Sequence, residues 1–329
     1  MILKIGVVSL AVAIEGDAGR PLKREIGEIF QGYGAAGGTA GATLTIRYRP
    51  GIPLHKLFSP ADLDALGRYF HSVGERFPGT EVFFGRRKRP GAGVRGTYLK
   101  NGWPPVNPSI PALFHRDRMA ALCYESFLLL IDFDTPSGDL YVLRDDFMHD
   151  RSAIRLAVQG AVGLLVPVYG GVMFHACSIG DSGAGRLFFG ASGAGKSTIA
   201  RRVGPERLLS DDGTLCFFRG GDLHIFPSPF TQVPHMIKND GDIPATEFFF
   251  LVQDAGNFLE RVSPGEAMSR ILHNHIHFFR YFPGKEAKET FEAIGALVER
   301  HAFYDLHFTR ALDYDAFFGE KKDDRKKAI

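Results

Sequence analysis

The chain has 329 residues, 45% of them hydrophobic and 12% aromatic, enough to bury a sizeable core and, on length, to make two domains rather than one. Lys and Arg total 39 against 37 Asp and Glu, and a net charge of +2 removes any global reason to expect a nucleic acid or a membrane as partner. The three cysteines, Cys123, Cys177 and Cys216, contain no CxxC pair, which argues against a disulfide framework and for a reducing, cytoplasmic setting.

Near the start, the apolar stretch Ile5 to Ile14 behind a single lysine reads as a first strand rather than a secretory signal. The segment GYGAAGGTAGA, Gly32 to Ala42, contains a formal GxGxxG. Helix-patterned REIGEIF precedes it and strand-like LTIRY follows, the reverse of the order a dinucleotide site needs, so it reads as a flexible loop. Short apolar runs at Ala42 to Ile46 and Phe127 to Phe133, set among Gly and Pro turns, predict a β-rich domain with few helices over residues 1–148. One helix there is signposted: Ser59 is a good N-cap, Pro60 fits the first position, and Leu63, Leu66 and Phe70 recur at helical spacing. The basic run Arg86, Arg87, Lys88, Arg89 with Arg95 reads as a solvated loop, because no aromatic residues interleave with it as an RNA-stacking surface requires.

From about residue 150 strands and helices alternate, the texture of an α/β nucleotide-binding domain over 149–315. The apolar stretch Ala161 to Phe174 is broken by Pro167 and Gly170-Gly171, which predicts a core helix feeding a buried strand, not a membrane span. Strands are expected at Val172 to Ser178, Arg186 to Phe189, Arg207 to Leu209, Thr214 to Phe218 and Phe248 to Val252. Helices are expected after Ser263, where SPGE forms a capping box, and from Glu286 to about His301. Residues 316–329 end in EKKDDRKKAI, a charged tail with nothing to bury.

The chemistry concentrates in GASGAGKST. Apolar LFF precedes it and TIARR follows with helical character, the strand, loop, helix context of a phosphate-cradling P-loop. Its backbone from Gly190 through Ala191, Ser192, Gly193, Ala194, Gly195, Lys196, Ser197 and Thr198 would bend around the phosphates of ATP. Lys196 would reach the β- and γ-phosphates and Ser197 would place its hydroxyl on magnesium. Asp211 and Asp212 follow the apolar RLLS at the end of an expected strand, where Asp211 can hold the metal and Asp212 can accept the proton of an attacking hydroxyl.

A strand with Gly-Gly-x-x-x-His ending at His175, then a hairpin, then GxSGxGKS, then a strand running into Asp211-Asp212, resembles the catalytic domain of bacterial HPr kinase/phosphorylase, best over residues 165 to 215. The resemblance implies a nucleotide-binding core like that of phosphoenolpyruvate carboxykinase, with His175 assisting Asp212, and self-association as hexamers. It implies an ATP- and Mg2+-dependent kinase acting on a serine hydroxyl of a peptide or small protein. GGVMFHA and VSPGEAMSRILHN look more like the diverged relatives that work in peptide maturation. Where the family carries Glu-x-Arg-Gly and its metal-binding glutamate, this chain reads SPFTQVPHMIKNDGD, which leaves the second metal ligand and the acceptor unassigned; Arg280 in RYFPG answers to the family's catalytic arginine. A phosphorylase or phosphatase using the same site, a free-serine kinase and a non-catalytic nucleotide-dependent regulator are the competing expectations. His273, His275 and His277 form HxHxH, which the capping box places on a helix with His273 and His277 aligned. No Cys or acidic residue beside them completes a metal site, so they read as structural or exposed.

Overall fold

The computed structural model describes residues 1–5, 7–15, 19–34, 41–47, 81–86, 95–100, 112–116, 118–123, 127–142, 147, 149–181, 183–231 and 242–319, with backbone only at 81–86, 95–100, 112–116, 121 and 123. The expected helix after Ser59, the basic residues 87–89, residues 232–241 and the last ten residues lie outside the described residues. The protein is mixed α/β with two mixed sheets, and it divides into two compact units.

Strand β1 (Ile2–Ile5) belongs to the second unit, where the Lys4 N–H donates to the Tyr33 carbonyl at 2.7 Å. The first unit holds most of β2 (Val8–Glu15), the helix Gly19–Ile29 and the strands β3 (Ala42–Arg47), β4 (Glu81–Arg86), β5 (Arg95–Lys100), β6 (Ala112–Arg116), β7 (Met119–Cys123), β8 (Phe127–Asp132) and β9 (Ser137–Val142). There β2, β3, β9, β8, β7 and β6 lie side by side in that order, while β4 and β5 form a separate antiparallel hairpin. Arg86 and Arg95 are register partners in that hairpin. Alternating burial along β3 and β9 shows one face turned to the core, as the period of two in their sequences requires.

The helix Arg151–Leu165 is capped by Asp150, whose carboxylate accepts from the Ser152 and Ala153 N–H groups at 2.9 and 3.1 Å. Among the described residues one segment, Arg151–Tyr169, is long and apolar enough to cross a membrane; 67% of its most apolar window is buried in the protein, as in a core helix.

The second unit carries β10 (Gly171–Asp181), β11 (Ala184–Phe189), β12 (Leu208–Ser210), β13 (Gly213–Arg219), β14 (Asp222–Phe226), β15 (Ile243–Gln253), β16 (Phe258–Val262) and β17 (Phe303–Phe308). Their order is β11-β10-β13-β14-β15-β17-β16, with β12 on β10 and a further parallel pairing of β11 with β15. β15 and β17 are also parallel, joined through β16 and the helices Pro264–Arg270 and Gly284–Arg300. The central strands are buried on both faces, which is why FFFLV and LFF read as continuous apolar runs. Phe174, Ala176, Phe189, Phe248 and Phe250 pack toward those two helices. Cys177, Phe188, Phe249, Leu306 and Phe308 face the other way, onto Ile199 and Ala200 of the short helix Lys196–Ala200 and onto Tyr314 and Phe318.

All five strands expected in this half are present, four of them longer than expected and β12 of the expected length but shifted one residue along the chain, and β14, β16 and β17 join them. Half of the expected capping box forms: the Ser263 side chain accepts from the Glu266 N–H at 3.3 Å, while the Glu266 carboxylate pairs with Arg270. The tail begins later than residue 316, because the helix Tyr314–Gly319 buries Tyr314 and Phe318. Arg186 holds that helix by hydrogen bonding to the Tyr314 hydroxyl at 3.1 Å, while pairing with Asp181 and Glu247.

Candidate functional site

β10 and β11 form an antiparallel hairpin, and the chain leaves β11 into the glycine-rich loop 190–195 before the one-turn helix Lys196–Ala200. Ala191, Ser192 and Gly193 are exposed, whereas Lys196 beneath them is 6% exposed. Two glycines shape the loop. Gly193 and Gly195 sit at φ 84° and 112°, and a Cβ on Gly195 would lie 2.5 Å from the Phe308 ring. The Ala194 N–H is used internally, donating to the Ala191 carbonyl at 3.0 Å, but the N–H groups of Ser192, Gly193, Gly195, Lys196 and Ser197 have no acceptor among the described residues. Gln253, at the end of β15, steadies the loop by donating to the Gly193 carbonyl at 2.7 Å.

The aspartates are placed by a break in a strand ladder. β12 and β13 both pair with β10, through Ser178↔Ser210 and His175↔Gly213, and Asp211-Asp212 fills the gap between them. The Ala176 N–H donates to the Asp212 carbonyl across that gap at 2.9 Å. Buried hydroxyls pin the surrounding backbone: Thr214 donates to the Ala176 carbonyl at 2.7 Å and Ser228 to the Gly213 carbonyl at 2.6 Å. Asp211 is 2% exposed.

Three side chains meet here. His175 Nε2 lies 3.0 Å from Asp212 Oδ1 and 2.8 Å from Lys196 Nζ, and Lys196 Nζ is 3.7 Å from Asp212 Oδ1. Lys196 also donates to the carbonyls of Gly190 at 2.7 Å and Ala191 at 3.2 Å. Burial pushes the Lys196 ammonium pKa below its usual value, against the pull of Asp212. Burial pushes the Asp212 carboxyl up, but the His175 hydrogen bond and the charges of His175 and Lys196 outweigh it and hold the carboxyl below the ordinary range. One imidazole nitrogen carries either a proton or a lone pair, so His175 Nε2 can donate to Asp212 or accept from Lys196, not both.

The structure thus brings together His175, Lys196 and Asp212, with Asp211 alongside and the loop residues Gly190 to Thr198 around them. It does not bring in Arg280, which is exposed and engages Tyr281. The three histidines do not share one helix. The α-helix ends at Arg270, a wider π-helical turn spans Ile271–His275, and Ile276 then makes an antiparallel bridge with Phe174. His273 faces solvent and bonds the Ser269 carbonyl; His275 is buried between Phe189 and Phe250, with ring centroids at 5.5 and 5.7 Å. His277 lands beside His175, with ring centroids 5.2 Å apart. The sequence carried this residue in plain view, but not the change from helix to extended chain at Ile276.

Among the described residues no group of three or more His, Cys, Asp and Glu side chains could by itself hold a metal ion. No protein-family model matches the chain, and no curated protein matches it.

Proposed function

We propose that the loop Gly190–Ser197 binds the phosphates of ATP with magnesium and that the second unit transfers the γ-phosphate to the serine hydroxyl of a peptide or small protein. The carrying observation is the convergence of Lys196, His175 and Asp212 on one point beneath a loop in which five N–H groups lack acceptors among the described residues. The resemblance of the 165 to 215 segment to HPr kinase/phosphorylase supports the same reading and a P-loop core of that type. Ser197 and Asp211 would hold the magnesium ion, which neutralises charge on the phosphates when bound.

In this reading the acceptor oxygen forms its bond to the γ-phosphorus as the bond to the β–γ bridging oxygen breaks, and ADP leaves. Asp212, kept ionised by His175, takes the hydroxyl proton. Lys196 has a second part. Drawn from His175 toward the phosphates, it leaves Nε2 free to donate to Asp212, so the base is oriented only when the loop is filled.

The test is incubation of the purified protein with γ-labelled ATP and magnesium against serine-containing peptides, free serine and HPr. Label in one acceptor, lost in Asp212→Asn with nucleotide binding intact, is the expected result. Label transferred equally by that variant removes Asp212 from the reaction, and nucleotide binding without transfer to any acceptor favours a regulatory module.

A further inference from the structure

His277 is held by more structure than a bystander needs. Its N–H donates to the Met173 carbonyl at 2.9 Å, Ile276 before it bridges Phe174, and Phe278 after it sits at φ 63°, the one non-glycine residue with positive φ among the described residues. A left-handed conformation in a bulky aromatic costs on the order of 1–3 kcal/mol and persists where the surroundings impose it. The imidazole stands against that of His175. A phenyl ring would pack there as well. What distinguishes the histidine is its Nε2, which is buried and has no hydrogen-bond partner among the described residues. A buried polar atom left without a partner costs stability, and such atoms in folded proteins ask for a reason.

We propose that His277 is an acceptor-side contact: its Nε2 hydrogen-bonds the hydroxyl oxygen that Asp212 deprotonates, fixing that oxygen in line with the γ-phosphate. The inference rests on the kinase reading above. The charged and titratable groups around the ring come from every neighbouring element: His175 on β10, Asp212 in the gap between β12 and β13, and Lys196 after the loop. Burial, with the charge of His175, pushes the His277 imidazole down to about 4, so it stays neutral and offers a hydrogen bond without competing with Lys196 for the phosphates.

Mg-ADP with vanadate is the probe, because vanadate occupies the place of the γ-phosphoryl group and carries an apical oxygen where the acceptor oxygen would lie. Affinities for Mg-ADP alone and for Mg-ADP with vanadate are compared in wild type, His277→Phe, which keeps the ring but no nitrogen, and His277→Gln, which restores a polar tip. The expected result is Mg-ADP affinity within twofold in all three, vanadate complex at least tenfold weaker in the Phe variant, and recovery of most of that loss in the Gln variant. Equal vanadate affinity in the Phe variant and wild type overturns the inference while leaving the kinase reading standing. So does a wild type that binds Mg-ADP but gains nothing from vanadate. A wild type that does not bind Mg-ADP overturns the kinase reading, and the inference with it.

Discussion

The loop and the histidine corner lie side by side in the second unit, yet they are built in opposite ways. The loop is one continuous run, Gly190 to Thr198, whose shape follows from its own residues and two left-handed glycines. The corner is assembled from three separate segments: His175 from a strand, Asp212 from a break in a ladder, and His277 from the turn after a helix. Local construction makes a site visible in sequence, while non-local construction makes it depend on the whole sheet. The loop therefore tolerates little change within itself, and the corner is sensitive to changes elsewhere.

Asp212→Asn strikes the corner alone and has the largest expected effect, a loss of phosphoryl transfer of roughly 100-fold or more with nucleotide affinity retained, measured with labelled ATP. If affinity falls in parallel, the two regions are one functional unit and the contrast between them fails. Gly195→Ala strikes the loop alone. Positive φ and the clash with Phe308 should lower stability by about 2–3 kcal/mol, read as a fall in Tm, and Phe308→Leu in the same chain should restore only the share due to the clash.

His275→Phe sharpens the comparison from within the histidine segment, since His275 packs in the core rather than in the corner. Burial pushes its imidazole from 6.5 down to about 4. Between those values the unfolded chain binds more protons than the folded one, so stability is whole above pH 6.5 and is lost as pH falls toward 4, by up to about 3 kcal/mol for this group. The variant should lose less stability than wild type between pH 7 and 4.5 in urea unfolding. An unchanged acid response would show that His275 is not held neutral. Ser263→Ala, distant in role from both regions, should cost about 1 kcal/mol through the lost cap and leave phosphoryl transfer unchanged.

The same contrast explains what could be read from the residues alone. Strands such as FFFLV and LFF announce themselves because burial on both faces demands unbroken apolar runs, and SPGE announces a helix start because the Ser263 cap is a local hydrogen bond. β16, FLERV, and β14, DLHIF, are mixed in polarity because they are partly exposed, and their pairing is decided by neighbours far along the chain. Lys196 and the aspartate pair are legible through motif and order. The position of His277 is not, because it follows from the bridge between Ile276 and Phe174, a contact that no local pattern encodes.

The gap that carries Asp211 and Asp212 also constrains how such a chain can evolve. Its two flanking strands are anchored to the same β10 in one continuous register, so the two residues are a spacer of fixed length. Inserting or deleting one residue would turn every side chain of β13 to the opposite face of the sheet, forcing Leu215 and Phe217 into the space where Thr214 and Cys216 now pack. The acids can be exchanged for other residues one at a time, but they cannot be moved, and their number is inherited with the core.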